Sequence, residues 1–212
     1  MESHAKKITC VCVYYPHWHR YPKGDEWFGA DRWKQGEWAF VKDARPLYPN
    51  HKQPLVPYAG FLDESNPAAY AAYVERVSFV RDACARAGVQ LILESGQETA
   101  EDLARFLRDV PGLYVNFDPA NMILYGKGCP MEALETLVPW IRKIHVKDAD
   151  ATAVPGTWGT ERPWGEGQVG GAAFIDALNG LGFTGNLTIE REGGDDRVGD
   201  IARAAARLRE GR

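Results

Sequence analysis

Four acidic or imidazole side chains close four successive apolar runs: Glu94 in LILESGQE, Asp118 in YVNFDPAN, His145 in KIHVKD and Glu190 in LTIERE. Parallel α/β proteins build their sites at the carboxyl ends of the strands, where the connecting loops converge on one mouth. Three hard carboxylates and one imidazole, without sulfur, suit a divalent ion such as Mn²⁺, Mg²⁺ or Co²⁺ better than a closed structural zinc site. His145 is the only histidine after residue 51, so an imidazole at such a centre has to be this one. Each residue alone reads as an ordinary polar strand end; the case rests on the set.

Other side chains stand close to these runs. Lys147 and Asp148 follow His145 and could orient a substrate or hold the second imidazole nitrogen, as residues behind metal ligands do; a surface salt bridge is an equal reading. The segment 156–161, GTWGTE, runs on to WGEG at 164–167. Trp158, Glu161 and Trp164 there offer aromatic faces and a polar group for a sugar, with simple packing of the loop as the other reading. Glycine-rich stretches at 165–171 and 193–194 precede helices and could present amides to an anion, but neither forms a P-loop or a GxGxxG turn.

These residues need a scaffold, and the pattern from Pro67 onward supplies one. Asn66-Pro67 reads as a cap and first turn, and Tyr70, Tyr73, Val74, Val77, Val80 and Cys84 make one helical stripe ending before Gly88. Val89–Glu94 reads as a buried strand, Thr99 with Asp102 as a capping box opening a helix, and Leu113–Asp118 as the next strand. Pro130 opens a helix that Pro139 closes. Ile141–Val146 is a strand, Phe174, Ile175, Leu178 and Leu181 stripe a helix, Leu187–Ile189 is the last strand, and a helix near Val198–Leu208 follows. With an N-terminal strand at Ile8–Tyr15, five strands and five helices result.

The chain changes character near residue 66. Before Pro67 stand 9 basic and 8 acidic residues, and after it 16 and 21, so a near-neutral segment precedes an acidic one. Four of the seven tryptophans and four of the five histidines fall before residue 52, among many prolines. We therefore expect an aromatic segment at 1–65, one strand and a long loop, and an α/β unit at 66–212.

A net charge of −4 and a pI near 5.8 give no pull toward nucleic acid or anionic membrane. The run from Ile8 to Tyr15 is far short of the roughly 20 residues a membrane span needs. Cys10, Cys12, Cys84 and Cys129 read as reduced buried thiols. A soluble, cytoplasmic protein is the expectation.

Residues 67–210, through ESGQET, NFDPANMILYG, HVKD, GTWGTE with GEGQV, and IERE, resemble the C-terminal half of the sugar phosphate isomerase/epimerase group of xylose isomerase-like TIM barrels. The resemblance implies Glu94, Asp118, His145 and Glu190 as ligands of one divalent ion (Mn, Mg, Co or Zn), with Glu192 the alternative to Glu190. It further implies proton transfer at the carbon next to a carbonyl, with Glu94 and Glu190 as the two acting carboxylates. Asn121, a substrate-binding candidate, stands where related epimerases often carry a histidine, so a second imidazole near the metal is missing here. The substrate implied is a sugar or sugar phosphate, although no phosphate site is evident.

The first 65 residues resemble something else. VYYPHWHRYPKGDEWFG and FVKDARPLYPNHKQPLVP look like the start of WbsX-type O-antigen biosynthesis proteins and their endomannosidase-like relatives, which implies a first barrel strand and an aromatic loop at a glycan cleft. His17 and Trp18 would then contact sugar, together with Tyr15, His19, Asp25, Glu26 and Trp27. His17 and His19 also have a spacing that could bind metal at a strand end.

A closed barrel of this type needs eight strands, so we expect a partial (β/α) TIM barrel, completed by pairing of two chains into a homodimer. The expected function is a metal-dependent sugar isomerase or epimerase. The alternatives are a carbohydrate-binding protein without turnover, using Trp18, Trp27, Trp158 and Trp164, and a glycan-processing enzyme of the N-terminal resemblance.

Overall fold

The structure is a computed structural model, and it describes residues 10–13, 67–86, 88–96, 98–154 and 157–210. The aromatic segment with His17, Trp18, His19, Asp25, Glu26 and Trp27 lies outside the described residues, as does the HxH spacing. No described helix is long and apolar enough to cross a membrane.

Five strands form one parallel sheet: β1 (Cys10–Val13), β2 (Gln90–Glu94), β3 (Tyr114–Phe117), β4 (Ile141–Val146) and β7 (Asn186–Ile189), side by side in that order. Helices connect them: α1 (Pro67–Arg86), α2 (Ala100–Asp109), α3 (Pro119–Leu124), α4 (Pro130–Leu137), α5 (Gly171–Gly180) and α6 (Arg197–Glu210). Among the described residues β1 and β7 are the sheet's edges, so the barrel is not closed there. Two elements had no signal in the sequence: the six-residue α3, and a two-stranded antiparallel ribbon of β5 (Asp148–Asp150) and β6 (Thr160–Arg162).

The apolar patterns end up where their spacing places them. On α1, Tyr73, Val77 and Cys84 are buried, and Tyr70, Val74 and Val80 pack beside them. Tyr73 stacks on Phe106 of α2 with ring centroids 4.5 Å apart. α2 starts with the N-cap half of the expected capping box: Thr99 Oγ1 accepts the Asp102 N–H at 3.2 Å, and the Asp102 carboxylate takes the Thr99 hydroxyl at 2.9 Å. Outward-facing Leu93, Val115, Phe117, Ile144 and Val146 meet the helices, and Phe117 stacks on Phe174 of α5, itself fully buried. Burying a side chain of that size contributes about 2–3 kcal/mol.

Side chains of paired residues in a parallel sheet share a face, so register decides what meets at the mouth. Glu94 pairs with Asn116, Phe117 with Ile144 and Val146 with Ile189. Between β3 and β4 the register shifts: Val115 pairs with Ile141 but Asn116 with Lys143, which leaves Arg142 as an extra residue. The shift sets His145 level with Asp118 on the inner face.

Candidate metal centre

Glu94 is the last residue of β2, Asp118 follows β3, His145 is the penultimate residue of β4, and Glu190 follows β7. One ligating atom from each lies within 4.8 Å of all the others. His145 Nδ1 is the hub, 3.2 Å from Glu94 Oε1, 3.4 Å from Asp118 Oδ2 and in contact with Glu190 Oε2. Glu94, Asp118 and His145 are buried, and Glu190 is partly buried.

Each ligand is held by a neighbour. Asp118 caps α3, its Oδ1 accepting the Asn121 N–H at 3.0 Å, while Ser95 Oγ accepts the Asp118 N–H at 3.0 Å. Asn121 Nδ2 in turn donates to Glu94 Oε1 at 3.2 Å. This closeness requires Gly96: its φ is +128°, and a Cβ there would stand 2.2 Å from Asn121 Cβ. Lys147, almost fully buried, points its ammonium at Glu192 (2.7 Å), Glu190 (3.6 Å) and Asp118 (3.8 Å).

The charges pull apart the behaviour of the two glutamates. Burial, reinforced by the charges of Asp118 and Glu190, pushes Glu94 up to about 7 against its hydrogen bond with His145. Burial also disfavours charge on Glu190, but His145 and Lys147 outweigh it and hold Glu190 below the usual carboxylate range. On His145 burial opposes protonation, and the carboxylates of Asp118, Glu190 and Glu94 override it, raising the imidazole to about 11. Lys147 is likewise raised, by Asp118, Glu190 and Glu192 against the cost of its burial.

The donor set fits a divalent cation. Asp118 Oδ2 and Glu190 Oε2 are buried and share the single His145 Nδ1 as an ion-pair contact, with no further hydrogen bond, at the point where the four side chains meet. Buried carboxylate oxygens left in that state are costly, and a bound cation would engage them.

The remaining sequence-derived residues separate into those at this centre and those away from it. Asn121 and Lys147 touch the cluster; Glu192 reaches Lys147, not the four-residue group. Asp148 lies beneath the loop after β6: its fully buried carboxylate accepts the N–H groups of Ala149 (2.9 Å), Gly165 (2.9 Å), Gly167 (3.1 Å) and Val169 (3.0 Å). Glu161 clamps the loop after β7, accepting from Arg191 Nη1 at 3.0 Å and from the N–H groups of Glu192 at 2.8 Å and Gly193 at 3.2 Å. Trp164 is buried edge-on against Phe174. Trp158 is exposed and packs on Tyr125 with centroids 4.4 Å apart. Cys129 is exposed, in place of the burial expected for it, because it sits just ahead of Pro130 at the start of α4.

Two participants escaped the sequence reading: Ser95, and Asn116, whose amide contacts the His145 ring. The spacing of Asn116 two before Asp118, which places both on one face of a strand, was the available signal.

Residues 47–211 match the family described as xylose isomerase-like TIM barrel, ahead of the start at 67 read from the motifs. Residues 10–77 match the family described as glycosyltransferase WbsX. No curated protein matches. Among solved structures, the xylose isomerase domain protein from Planctomyces limnophilus is 40% identical, with a TM-score of 0.66 over 71% of this chain and 55% of that one. The xylose isomerase-like TIM barrel protein from Mycobacterium smegmatis, in complex with magnesium, is 24% identical, with a TM-score of 0.56 over 68% of this chain and 51% of that one. The 3-keto-D-glucoside 4-epimerase from E. coli, apo form, is 17% identical, with a TM-score of 0.51 over 75% of this chain and 59% of that one. The chain thus spans 51% to 59% of the length of these three structures.

Proposed function

The chain belongs to the xylose isomerase-like TIM barrel family, and from that premise we propose that it is a metal-dependent isomerase or epimerase of a small sugar, moving a proton at the carbon beside a carbonyl. The observation that carries this is the convergence of Glu94, Asp118, His145 and Glu190 from four neighbouring strand ends. A magnesium-bound neighbour and an epimerase among the neighbours support it.

These four residues would hold one divalent ion, which when bound polarises the substrate oxygens flanking the carbon that loses its proton. Glu94, which burial and the neighbouring carboxylates make the more easily protonated of the two glutamates in the metal-free site, is the one suited to take up and return a proton. Glu190, with the Lys147 ammonium beside it favouring its ionised form, is suited to accept or guide the proton on the other side. Lys147 places a buried positive charge beside both Asp118 and Glu190, where negative charge gathers. Asn121 orients Glu94 through its amide. In this proposal residues 66–212 carry the chemistry, residues 1–65 contribute β1 to the same sheet, and a second copy completes the barrel.

The test is turnover of a panel of ketoses and aldoses with Mn²⁺ by the native protein, Glu94→Gln and Glu190→Gln, with circular dichroism as a check on folding. Loss of at least about 100-fold in both folded variants is expected for acid/base carboxylates. Undiminished turnover in either removes that residue from the mechanism, and a native protein that binds sugar without turnover replaces the enzyme with a binding protein.

A further inference from the structure

Asn116 is fully buried on the inner face of β3, between Glu94 on the neighbouring strand and His145 across the sheet. Its Nδ2 lies 2.9 Å from His145 Nε2 and 3.3 Å from Nδ1, while its Oδ1 is buried with no hydrogen-bond partner. The two ends of an amide exchange by a half-turn about χ2, and which is oxygen follows from what each faces.

Resting on the metal centre proposed above, we infer that Asn116 is a positioning residue that sets the tautomer of His145: its amide oxygen faces Nε2–H, leaving the Nδ1 lone pair for the cation. Nδ1 is the ring atom surrounded by carboxylate oxygens, those of Glu94, Asp118 and Glu190. Carboxylates only accept, so Nδ1 meets them either through a proton or through a shared cation, and the cation takes the place of that proton when it binds. With Nδ1 so engaged, the neutral ring carries its proton on Nε2, and whatever stands opposite must accept it. An NH₂ group there sets donor against donor. The oxygen there makes a bond and gives the buried acceptor its partner, the NH₂ taking the place the oxygen leaves. Among the hydrogen bonds of the described residues, Asn116 is the side chain other than the ligands that reaches the ring.

Two measurements decide it. Long-range ¹H–¹⁵N correlation spectra of ¹⁵N-histidine-labelled protein loaded with Zn²⁺, assigned by comparison with His145→Gln, are expected to show Nε2 protonated and Nδ1 shifted by the metal. Calorimetric titration with Mn²⁺ is expected to show affinity reduced about 10- to 100-fold in Asn116→Leu and retained in Asn116→Asp, which keeps an acceptor. Nε2 as the metallated nitrogen in the native protein overturns the inference, and so does an Asn116→Leu affinity within about twofold of native. If Asn116→Leu does not fold, the native spectrum still decides. Metal uptake with Nε2 bound removes this inference alone, whereas a native protein that takes up neither Zn²⁺ nor Mn²⁺ removes the proposed function and this inference with it.

Discussion

Asp148→Asn removes one of two carboxylate oxygens that between them collect four backbone N–H groups. Oδ1 accepts from Ala149 and Val169, and Oδ2 from Gly165 and Gly167. An amide keeps a single acceptor, so two of the four N–H groups meet an NH₂ instead. A hydrogen bond to a charged group contributes about 1.5–3 kcal/mol, so the expected loss is about 3–6 kcal/mol. That is a large fraction of the roughly 5–15 kcal/mol that holds a domain folded. Urea denaturation of metal-free protein, followed by tryptophan fluorescence, measures it, since Trp164 is buried against α5 next to the affected loop. Amide hydrogen exchange then locates the change, with Gly165 and Gly167 expected to lose protection before the strands do. A loss below about 1 kcal/mol, or unchanged exchange at those glycines, would refute the assignment of Asp148 as the loop's anchor.

Two further outcomes follow from the charges. Metal uptake must displace the proton that the surrounding carboxylates hold on His145, whose value stands at about 11, and above about 7 Glu94 also arrives ionised. Apparent Mn²⁺ affinity is therefore expected to rise about tenfold or more per pH unit from about pH 6 to about pH 8, with proton release seen by calorimetry in buffers of different ionisation enthalpy; a flat profile contradicts it. Glu98 is pushed up by burial from 4.5 to about 7, so its ionisation works against the fold, beginning above about 4.5 and complete above about 7. Glu98→Gln is accordingly expected to stabilise the protein by about 2–3 kcal/mol near pH 8 and to do little near pH 4, as measured by thermal melts at both.

The strand-end ligands were legible because each closes an apolar run, and a run followed by a hard ligand is a local pattern. The stripe on α1 and the cap at Thr99 were legible for the same reason. The ribbon of β5 and β6 was not. DAD has a single apolar residue and TER has none, too little to show a strand period, and they are joined by an Asp150–Arg162 ion pair at 2.6 Å across the ribbon. α3 was hidden because its cap is also a candidate ligand: Asp118 in NFDPAN reads equally well as a strand end. The tasks of Asp148 and Glu161 were out of reach for a different reason. Most of their partners are backbone amides from 17 to 32 residues away, and an amide leaves no mark on the sequence. Asn116 combined both obstacles, since its contact with the His145 ring spans 29 residues and depends on the register of two strands.

That register makes the centre depend on parity as well as on composition. Inserting one residue between Lys143 and Ile144 would shift the pairing beyond Asn116 and turn every later β4 side chain to the opposite face. His145 would then face the helices, and Ile144 would face the mouth in its place. Loops between the elements can lengthen or shorten by any number of residues, and the bulge at Arg142 can be lost, but the stretch from Lys143 to His145 can change only by an even number if the imidazole is to stay inside. A relative of this chain that carries the same four ligand types with one residue more between Lys143 and His145 would keep every ligand and still have no centre.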